Sequence, residues 1–538
     1  MRIPTHSVHP FRFIPHSKLK VFLLYNSKHM QKKSQTEESN ILSHSVIFSI
    51  TMYSCLLLGL LRGLIVAKLL GPAVYGIRNV FGVIMEFNGY SHLGSIFAMN
   101  REVPYYRGRN EEEKADLMIS STYWSNMFLV LIVGATFSIA SFYLRGGTWD
   151  SNYCDLMLFS GVLIITGRLK DFYETKLKLE NNFYFLSKIE LFSRILGIIS
   201  CIILTYYFYL RGFFAGLLIG DLLFIVSALK NERRIPSLIV SFPIIKGLVK
   251  VGFPIMLGGI FLMFLNNADK IMILSMLTEE ELGFYGIATV ATGLIGIVPR
   301  AIYSVTLPPL MKKYGQTKDI YRIKNYFVQP TVIIAYLLPF LLASIYFGIH
   351  LLIQYFLIKY LPSIKVVKIL TLGLFFSAIP TMAVSVCYAI DKRINVVYLT
   401  IPSVILNIII NYSLIRLGMG IEGVAIGTGI SYFVFCSTLL WYTMKQYKST
   451  FEEYIKIFLM MYAPFVYALC IIVILDNFFH FLSFGFWMDV RHTVLQLVFF
   501  CLCYGFIFVF VRKEAAFVRL FDKFPRVSSL FRKVKDHP

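Results

Sequence analysis

Long apolar runs alternate with short polar segments over most of the chain, from Ser45 to Val511. Each run holds about 20 residues, which is enough for an α-helix to cross the ~30 Å hydrocarbon core of a bilayer. The pattern predicts an all-α polytopic membrane protein with no large soluble domain. Charged clusters and Gly/Pro turns divide it into about 14 transmembrane helices: 45–70, 75–99, 117–144, 153–173, 189–210, 213–229, 249–276, 284–308, 327–352, 365–390, 394–417, 420–444, 456–475 and 490–511.

The composition agrees with this pattern, because 57% of the 538 residues are hydrophobic and only 15% are charged. In a soluble protein, the net charge of +22 would suggest a nucleic-acid partner. Here most of the 52 basic residues fall in alternate segments between spans, and basic residues collect on the cytoplasmic side of membrane proteins. We therefore predict a multi-pass membrane protein with both termini in the cytoplasm, which contacts membrane lipids and no nucleic acid.

The eight cysteines lie almost entirely within apolar spans and lack the spacing of metal ligands. Buried cysteine commonly behaves as a small hydrophobe. No metal site and no cofactor is expected from these residues.

An internal repeat relates the two halves of the chain. The stretch RGLIVAKLLGPAVYG at 62–76 has a counterpart in DKIMIL at 269–274 followed by ELGFYG at 281–286, with Arg62 opposite Lys270. Six intervening spans leave both copies running in the same direction, so the repeat predicts two six-helix lobes related by an axis along the membrane normal. Pro72 suits the first turn of one helix, and Thr278 with Glu281 predicts a capping box on another.

The repeat defines a domain organisation of five parts. A basic cytoplasmic arm, predicted to be disordered, precedes the lobes, and its first 29 residues are interpreted as an extension before a natural start at Met30. The N-lobe contains spans 1 to 6, the C-lobe spans 7 to 12, and two extra spans and a basic cytoplasmic tail follow. The respective ranges are 1–40, 41–235, 236–447, 448–512 and 513–538.

Three motifs in this order resemble a known family: LLGPAVYG at 69–76, REVPYYRG at 101–108 and NNADKIMI at 266–273. The chain resembles the O-antigen (Wzx-type) polysaccharide flippases of the multidrug/oligosaccharidyl-lipid/polysaccharide exporter superfamily over about residues 41–445. The span count differs from the commoner twelve and is similar to that of the lipid II flippase branch. The resemblance implies a non-enzymatic flippase of the bacterial cytoplasmic (inner) membrane that acts in surface polysaccharide biosynthesis. It would carry undecaprenyl diphosphate-linked oligosaccharide to the outer leaflet by alternating access, alongside a polysaccharide polymerase or glycosyltransferases.

Ionisable groups within apolar spans are functional candidates, because a charge at bilayer depth is costly unless it meets a partner or a wet cavity. Arginine offers a planar fork to phosphate and lysine a point charge. The candidate ligands of the diphosphate are Arg62, Lys270, Arg300 and Arg194, predicted to line one cavity between the lobes. The candidates for a polar cavity or a coupling-ion site are Asp269, Asn266, Asn267, Glu86, His92 and Asp221.

Structural alternatives stay open for several of these residues. Arg62 could pair with Asp221 or Glu86, the acid and base at 269 and 270 could satisfy each other, and His92 could be a hydrogen-bonded packing residue. Asn407 and Asn411, one helical turn apart, predict contact between neighbouring helices, as do the glycines of span 12.

Two other functions compete with the flippase. A multidrug and toxin extrusion-type exporter would share the two lobes but bind organic cations, and it should line its cavity with carboxylates. A membrane polymerase or glycosyltransferase acting on a lipid carrier would need a large extramembrane segment, which the short predicted loops do not provide.

Overall fold

A computed structural model describes residues 47–147, 149–232, 236–479 and 485–511. Regular structure in these residues is helical, as expected of a chain whose backbone polar groups must be satisfied inside a bilayer. The helices are α1 Ile47–Leu70, α2 Pro72–Asn88, α3 Ser95–Gly108, α4 Glu112–Arg145, α5 Ser151–Leu179, α6 Phe183–Glu232, α7 Phe242–Met276, α8 Glu279–Thr292, α9 Ile297–Thr317, α10 Lys324–Phe356, α11 Ser363–Gly373, α12 Phe375–Ala378, α13 Thr381–Ala389, α14 Arg393–Arg416, α15 Gly420–Gln446, α16 Phe451–Phe478 and α17 Phe486–Val511.

Eleven helical segments of the described chain are long and apolar enough to span a membrane. One of them, α6, is a hairpin that reverses at Tyr209, where φ is +51°, and its two arms touch at Gly197 and Gly220. It therefore crosses twice. Two further crossings pack into the same bundle. Helices α2 and α3 together form one, and α5, which ends in charged residues, forms the other. The prediction of about 14 crossings in an all-α membrane fold is confirmed.

Three predicted spans are broken in the structure, because hydropathy does not report backbone breaks; span 10 is divided among α11, α12 and α13. Span 2 is divided between α2 and α3 by a turn at 89–94, in which Leu93 and Gly94 have positive φ. The basic stretch 101–108, which lies between predicted spans 2 and 3, forms the second half of α3. Span 8 begins at Glu279 and is interrupted by a 3₁₀ turn, Gly293–Gly296.

The pseudo-equivalent helices α2 and α8 pack directly against each other. A Cβ on Gly76 would overlap the backbone of Glu279, and one on Gly283 would overlap the backbone of Pro72. Such close approach requires glycine on both helices. Pro72 occupies the first turn of α2, and Thr278 and Glu281 form the predicted capping box on α8.

The C-terminal pair α16 and α17 packs on α10. Lys368 Nζ on α11 donates to Asp476 Oδ1 of α16 at 2.9 Å, and the Tyr346 hydroxyl on α10 donates to Asp476 Oδ2 at 3.0 Å. An apolar cluster continues the contact, including Phe347 and Phe500. The extra helices are thus fixed to the C-lobe by both charge and packing.

The predicted packing role of the two asparagines in span 11 is also confirmed. Asn411 Nδ2 donates to Asn407 Oδ1 at 3.1 Å, and Asn407 contacts Thr428 on α15. Gly427 lies against the Asn411 side chain, as predicted for a close helix contact. The predicted arm at 1–40, the extension within it and the tail at 513–538 lie outside the described residues, and the lobe boundaries stay predictions.

Candidate substrate cavity

A cavity of about 460 Å³ lies between α2 of the N-lobe and several helices of the C-lobe. It opens beside the 3₁₀ turn, Gly293–Gly296, so a broken helix contributes backbone as well as side chains to its wall. Its lining residues are Glu86, Asn266, Asp269, Lys270, Thr289, Thr292, Gly293, Ile295, Gly296, Pro299, Arg300, Leu370, Leu374, Ser377, Ala378, Thr381, Thr428 and Tyr432.

A hydrogen-bonded chain crosses from one lobe to the other at this cavity. Lys270 Nζ donates to Asn267 Oδ1 at 2.8 Å, and Asn267 Nδ2 donates to Glu86 Oε2 at 2.5 Å. Asn267 is fully buried, and its Nδ2 also donates to the Met263 carbonyl at 3.1 Å, so three hydrogen bonds satisfy an amide that would otherwise be costly to bury. Lys270 makes no ion pair with a carboxylate of the described chain, which leaves ammonium donors available to the cavity.

Asp269 and Lys270 do not neutralise each other through their side chains. Asp269 is 5% exposed and accepts from the Tyr285 hydroxyl at 2.5 Å and from the Lys270 backbone N–H at 2.8 Å. One turn away, Asn266 Oδ1 accepts from the Tyr432 hydroxyl at 2.8 Å. The acid is therefore held by tyrosine and backbone. Neither tyrosine stands out in the sequence as a site residue, because aromatic residues are common in apolar spans.

Arg300 follows Pro299 near the start of α9, and its side chain is exposed within the chain. It has neither an ion pair nor a hydrogen bond to any described residue. Its guanidinium lies against Gly296, one turn earlier. Together, Lys270 and Arg300 present positive charge that no carboxylate in the described ranges holds.

Arg62 and Arg194 do not line this cavity, although the sequence predicted one cavity for all four basic residues. They lie with Lys170 and Asp221 around a small pocket of about 30 Å³ inside the N-lobe. Arg62 and Lys270 occupy equivalent positions in the repeat, one in each lobe. Two equivalent residues share one cavity only if both lie near the axis that relates the lobes, and these two do not share one.

Two basic residues of the N-lobe pocket belong to an ion network built on Glu190, a residue that was not predicted as part of a site. Glu190 is 3% exposed and pairs with Arg194 at 2.8 Å and with Lys170 at 3.3 Å. The spacing of Glu190 and Arg194, one helical turn, was the available signal. Arg62 pairs with neither Asp221 nor Glu86, and its Nε is buried without a partner among the described residues.

His92 lies outside both the cavity and the N-lobe pocket. It is buried in the turn between α2 and α3, where its Nδ1 accepts from the Gly94 backbone N–H at 2.9 Å. Its ring meets Phe97 edge to face at a centroid distance of 4.8 Å. These contacts match the packing alternative.

The cavity holds two bases and two acids, but their environments differ. Glu86 and Asp269 accept hydrogen bonds from protein groups, whereas among the residues that the structure describes the Arg300 side chain has no polar partner and Lys270 Nζ has a single neutral one. The described residues contain no cluster of three or more His, Cys, Asp or Glu suited to a metal ion. The arrangement can bind a polar anion without covalent chemistry.

Two solved structures have this architecture. An inward-facing multidrug resistance MATE family transporter of the MOP superfamily aligns with a TM-score of 0.61 and 16% identity, over 75% of this chain and 98% of its own. The lipid II flippase MurJ, in an inward closed conformation, aligns with a TM-score of 0.61 and 19% identity, over 87% of this chain and 99% of its own. The two alignments show that this chain shares its fold with these membrane proteins.

The family follows from the sequence itself. The model of a family described as polysaccharide biosynthesis protein matches residues 65–359, more than half of the chain. The chain belongs to this polysaccharide biosynthesis family, which confirms the resemblance to polysaccharide flippases. No curated protein sequence matches it significantly.

Proposed function

We propose that this protein is a flippase that moves undecaprenyl diphosphate-linked oligosaccharide from the cytoplasmic to the outer leaflet. The observation that carries the proposal is the pair Lys270 and Arg300, two cations in a cavity at the lobe boundary with no carboxylate partner in the described chain. A charge within a membrane bundle is retained where it serves a ligand or an ion path.

The chemistry of the cavity suits a glycosylated diphosphate. Arg300 offers a fork of N–H donors and Lys270 a compact charge, and both bind phosphate oxygens strongly. Neutral hydroxyl groups line the rest of the polar wall and can bond to sugar hydroxyls. They belong to Thr289, Thr292, Ser377, Thr381, Thr428 and Tyr432. The polyprenyl chain would stay in the surrounding lipid.

The bridge from Lys270 through Asn267 to Glu86 supplies a means of coupling. It joins α7 of the C-lobe to α2 of the N-lobe. A diphosphate that binds Lys270 competes with Asn267 for the ammonium, weakening the tie between the lobes. Rocking of the lobes would then expose the cavity alternately to the two sides.

The direction of transport follows from the proposed topology. The basic loops favour cytoplasmic termini in the bacterial inner membrane, so glycosyltransferases would load the lipid carrier on that side. A polysaccharide polymerase would receive the product outside. The fold belongs with transporters rather than enzymes, and transport breaks no covalent bond in the substrate.

A cation exporter is the second candidate. Glu86 is exposed to the cavity, Asp269 adds a second carboxylate, and the MATE transporter has the same fold. The cavity lining contains two acids and two bases. The choice between an anionic and a cationic substrate therefore depends on which of these charges a ligand can reach. Asp269 is buried behind tyrosine, which favours the anion.

Binding to purified protein in nanodiscs separates the two functions. We expect undecaprenyl diphosphate to bind, and Lys270→Ala and Arg300→Ala each to weaken binding by roughly tenfold or more, since hydrogen bonds to charged groups contribute about 1.5–3 kcal/mol. Lys365→Ala, at a surface lysine 77% exposed, is the matched control. Tight binding of tetraphenylphosphonium, with none of undecaprenyl diphosphate, would reverse the assignment.

A further inference from the structure

The break in span 8 places Gly296 beside the guanidinium of Arg300, one of the two cations of the cavity. The helix α8 ends at Thr292, the 3₁₀ turn, Gly293–Gly296, follows, and α9 resumes with Pro299 in its first turn. Proline has no backbone N–H to bond the preceding turn, so this region of the chain departs easily from α-helical geometry.

Arg300 lies one helical turn beyond Gly296. Side chains on a helix lean back toward its N-terminus, over the residue four positions earlier. A Cβ on Gly296 would be 2.8 Å from Arg300 Nη2, 3.3 Å from Nε and 3.4 Å from Cζ. The guanidinium therefore occupies the space that any other residue at 296 would fill with its side chain.

Nothing else of the described chain fixes this guanidinium, because Arg300 has no hydrogen bond or ion pair there. A flexible arginine can usually yield to a new methyl group, so the substitution moves the charge rather than breaking the backbone. Gly315, further along α9 and outside the cavity lining, lacks this relationship, because a Cβ there would meet no atom within 4 Å.

We propose that Gly296 is a positioning residue, which sets where the Arg300 guanidinium lies along the cavity wall and so governs recognition of the substrate's diphosphate. This inference rests on the proposed function and deepens it. By lying flat on the glycine, the guanidinium keeps its donors at the wall and leaves the cavity open for the headgroup. A side chain at position 296 would displace the guanidinium from the wall, either into the space of the headgroup or out of reach of the diphosphate.

The test is a double-substitution cycle with undecaprenyl diphosphate as the probe, using full-length protein in nanodiscs. We expect Gly296→Ala to weaken binding several-fold and Gly315→Ala, on the same helix as Arg300 but outside the cavity lining, to leave it near wild type. In the Arg300→Ala background, Gly296→Ala should have no further effect, because two residues that act through one contact are not additive. Thermal unfolding of each variant separates this effect from misfolding.

Three results would contradict the proposal. Gly296→Ala could bind like wild type, or weaken binding equally with and without Arg300, which would indicate a purely structural role. Either result leaves the flippase function standing if Lys270→Ala still loses affinity. Failure of the wild-type protein to bind the probe overturns the positioning role and the proposed function together.

Discussion

Gly94 and Gly252 touch backbone to backbone, joining the start of α3 to α7 across the two lobes. A Cβ on Gly252 would overlap the Gly94 carbonyl, and one on Gly94 would overlap the Gly252 carbonyl. Along α2 and α3, the cavity residue Glu86 lies between this contact and the one that Gly76 makes with α8. The lobes are thus in close contact on both sides of the cavity.

The contact between Gly94 and Gly252 predicts that a bulky residue at position 252 will keep the lobes from closing there. Leucine at Gly252 cannot fit against the Gly94 carbonyl, so the lobes should be held apart there and the transport rate should fall at least tenfold. Binding of undecaprenyl diphosphate should survive, because the cavity residues are untouched. The measurements are flipping in proteoliposomes and thiol labelling of a cysteine placed beside position 252.

Gly247→Leu provides the control, because a Cβ at Gly247 on the same helix meets no atom within 4 Å. It should transport normally. Equal losses in the two variants would point to general damage to α7 rather than to a blocked closure.

The inter-lobe bridge predicts an effect of charge at Glu86. The change Glu86→Gln keeps an acceptor for Asn267 but removes a negative charge from the cavity. We expect several-fold tighter binding of undecaprenyl diphosphate, because like charges repel, together with slower flipping. Met85→Leu, on the neighbouring helix position, is the control. Weaker binding by the glutamine variant would refute the electrostatic account.

The division of the basic residues predicts different roles for Arg62 and Lys270. Because Arg62 lines the N-lobe pocket, Arg62→Ala should retain affinity for the diphosphate to within a few-fold, whereas Lys270→Ala should lose roughly tenfold or more. Equilibrium binding of undecaprenyl diphosphate measures both variants. Comparable losses would mean that both residues reach the ligand in another conformation.

The attachment of α16 and α17 predicts a stability effect. Lys368 and Asp476 are 24% and 37% exposed at their side chains, so the pair is partly screened. We expect Lys368→Ala to lower stability by about 1 kcal/mol, seen as a lower melting temperature in detergent. The exposed pair of Lys365 and Glu422, 3.7 Å apart, is the comparison and should contribute less. An unchanged melting temperature for Lys368→Ala would show that apolar packing, and not this ion pair, attaches α16 and α17 to the C-lobe.

The sequence by itself determined the membrane class, the number of crossings and the repeat. Hydrophobicity is a local property, since a run of about 20 apolar residues must be buried in lipid whatever its neighbours are. Local chemistry also determined the capping box of Thr278 and Glu281 and the packing role of Asn407 and Asn411. It identified Lys270, Arg300 and Glu86 as unusual because each carries a charge at bilayer depth.

Only the tertiary structure decided which of these charges share a cavity. Arg62 and Lys270 align in the repeat yet face separate spaces, and Glu190 takes Arg194 into its own network. Likewise, the contacts of Gly296 with Arg300 and of Gly94 with Gly252 depend on helix breaks and on how the lobes approach. Such contacts arise from packing between elements, which the order of residues along one helix does not specify.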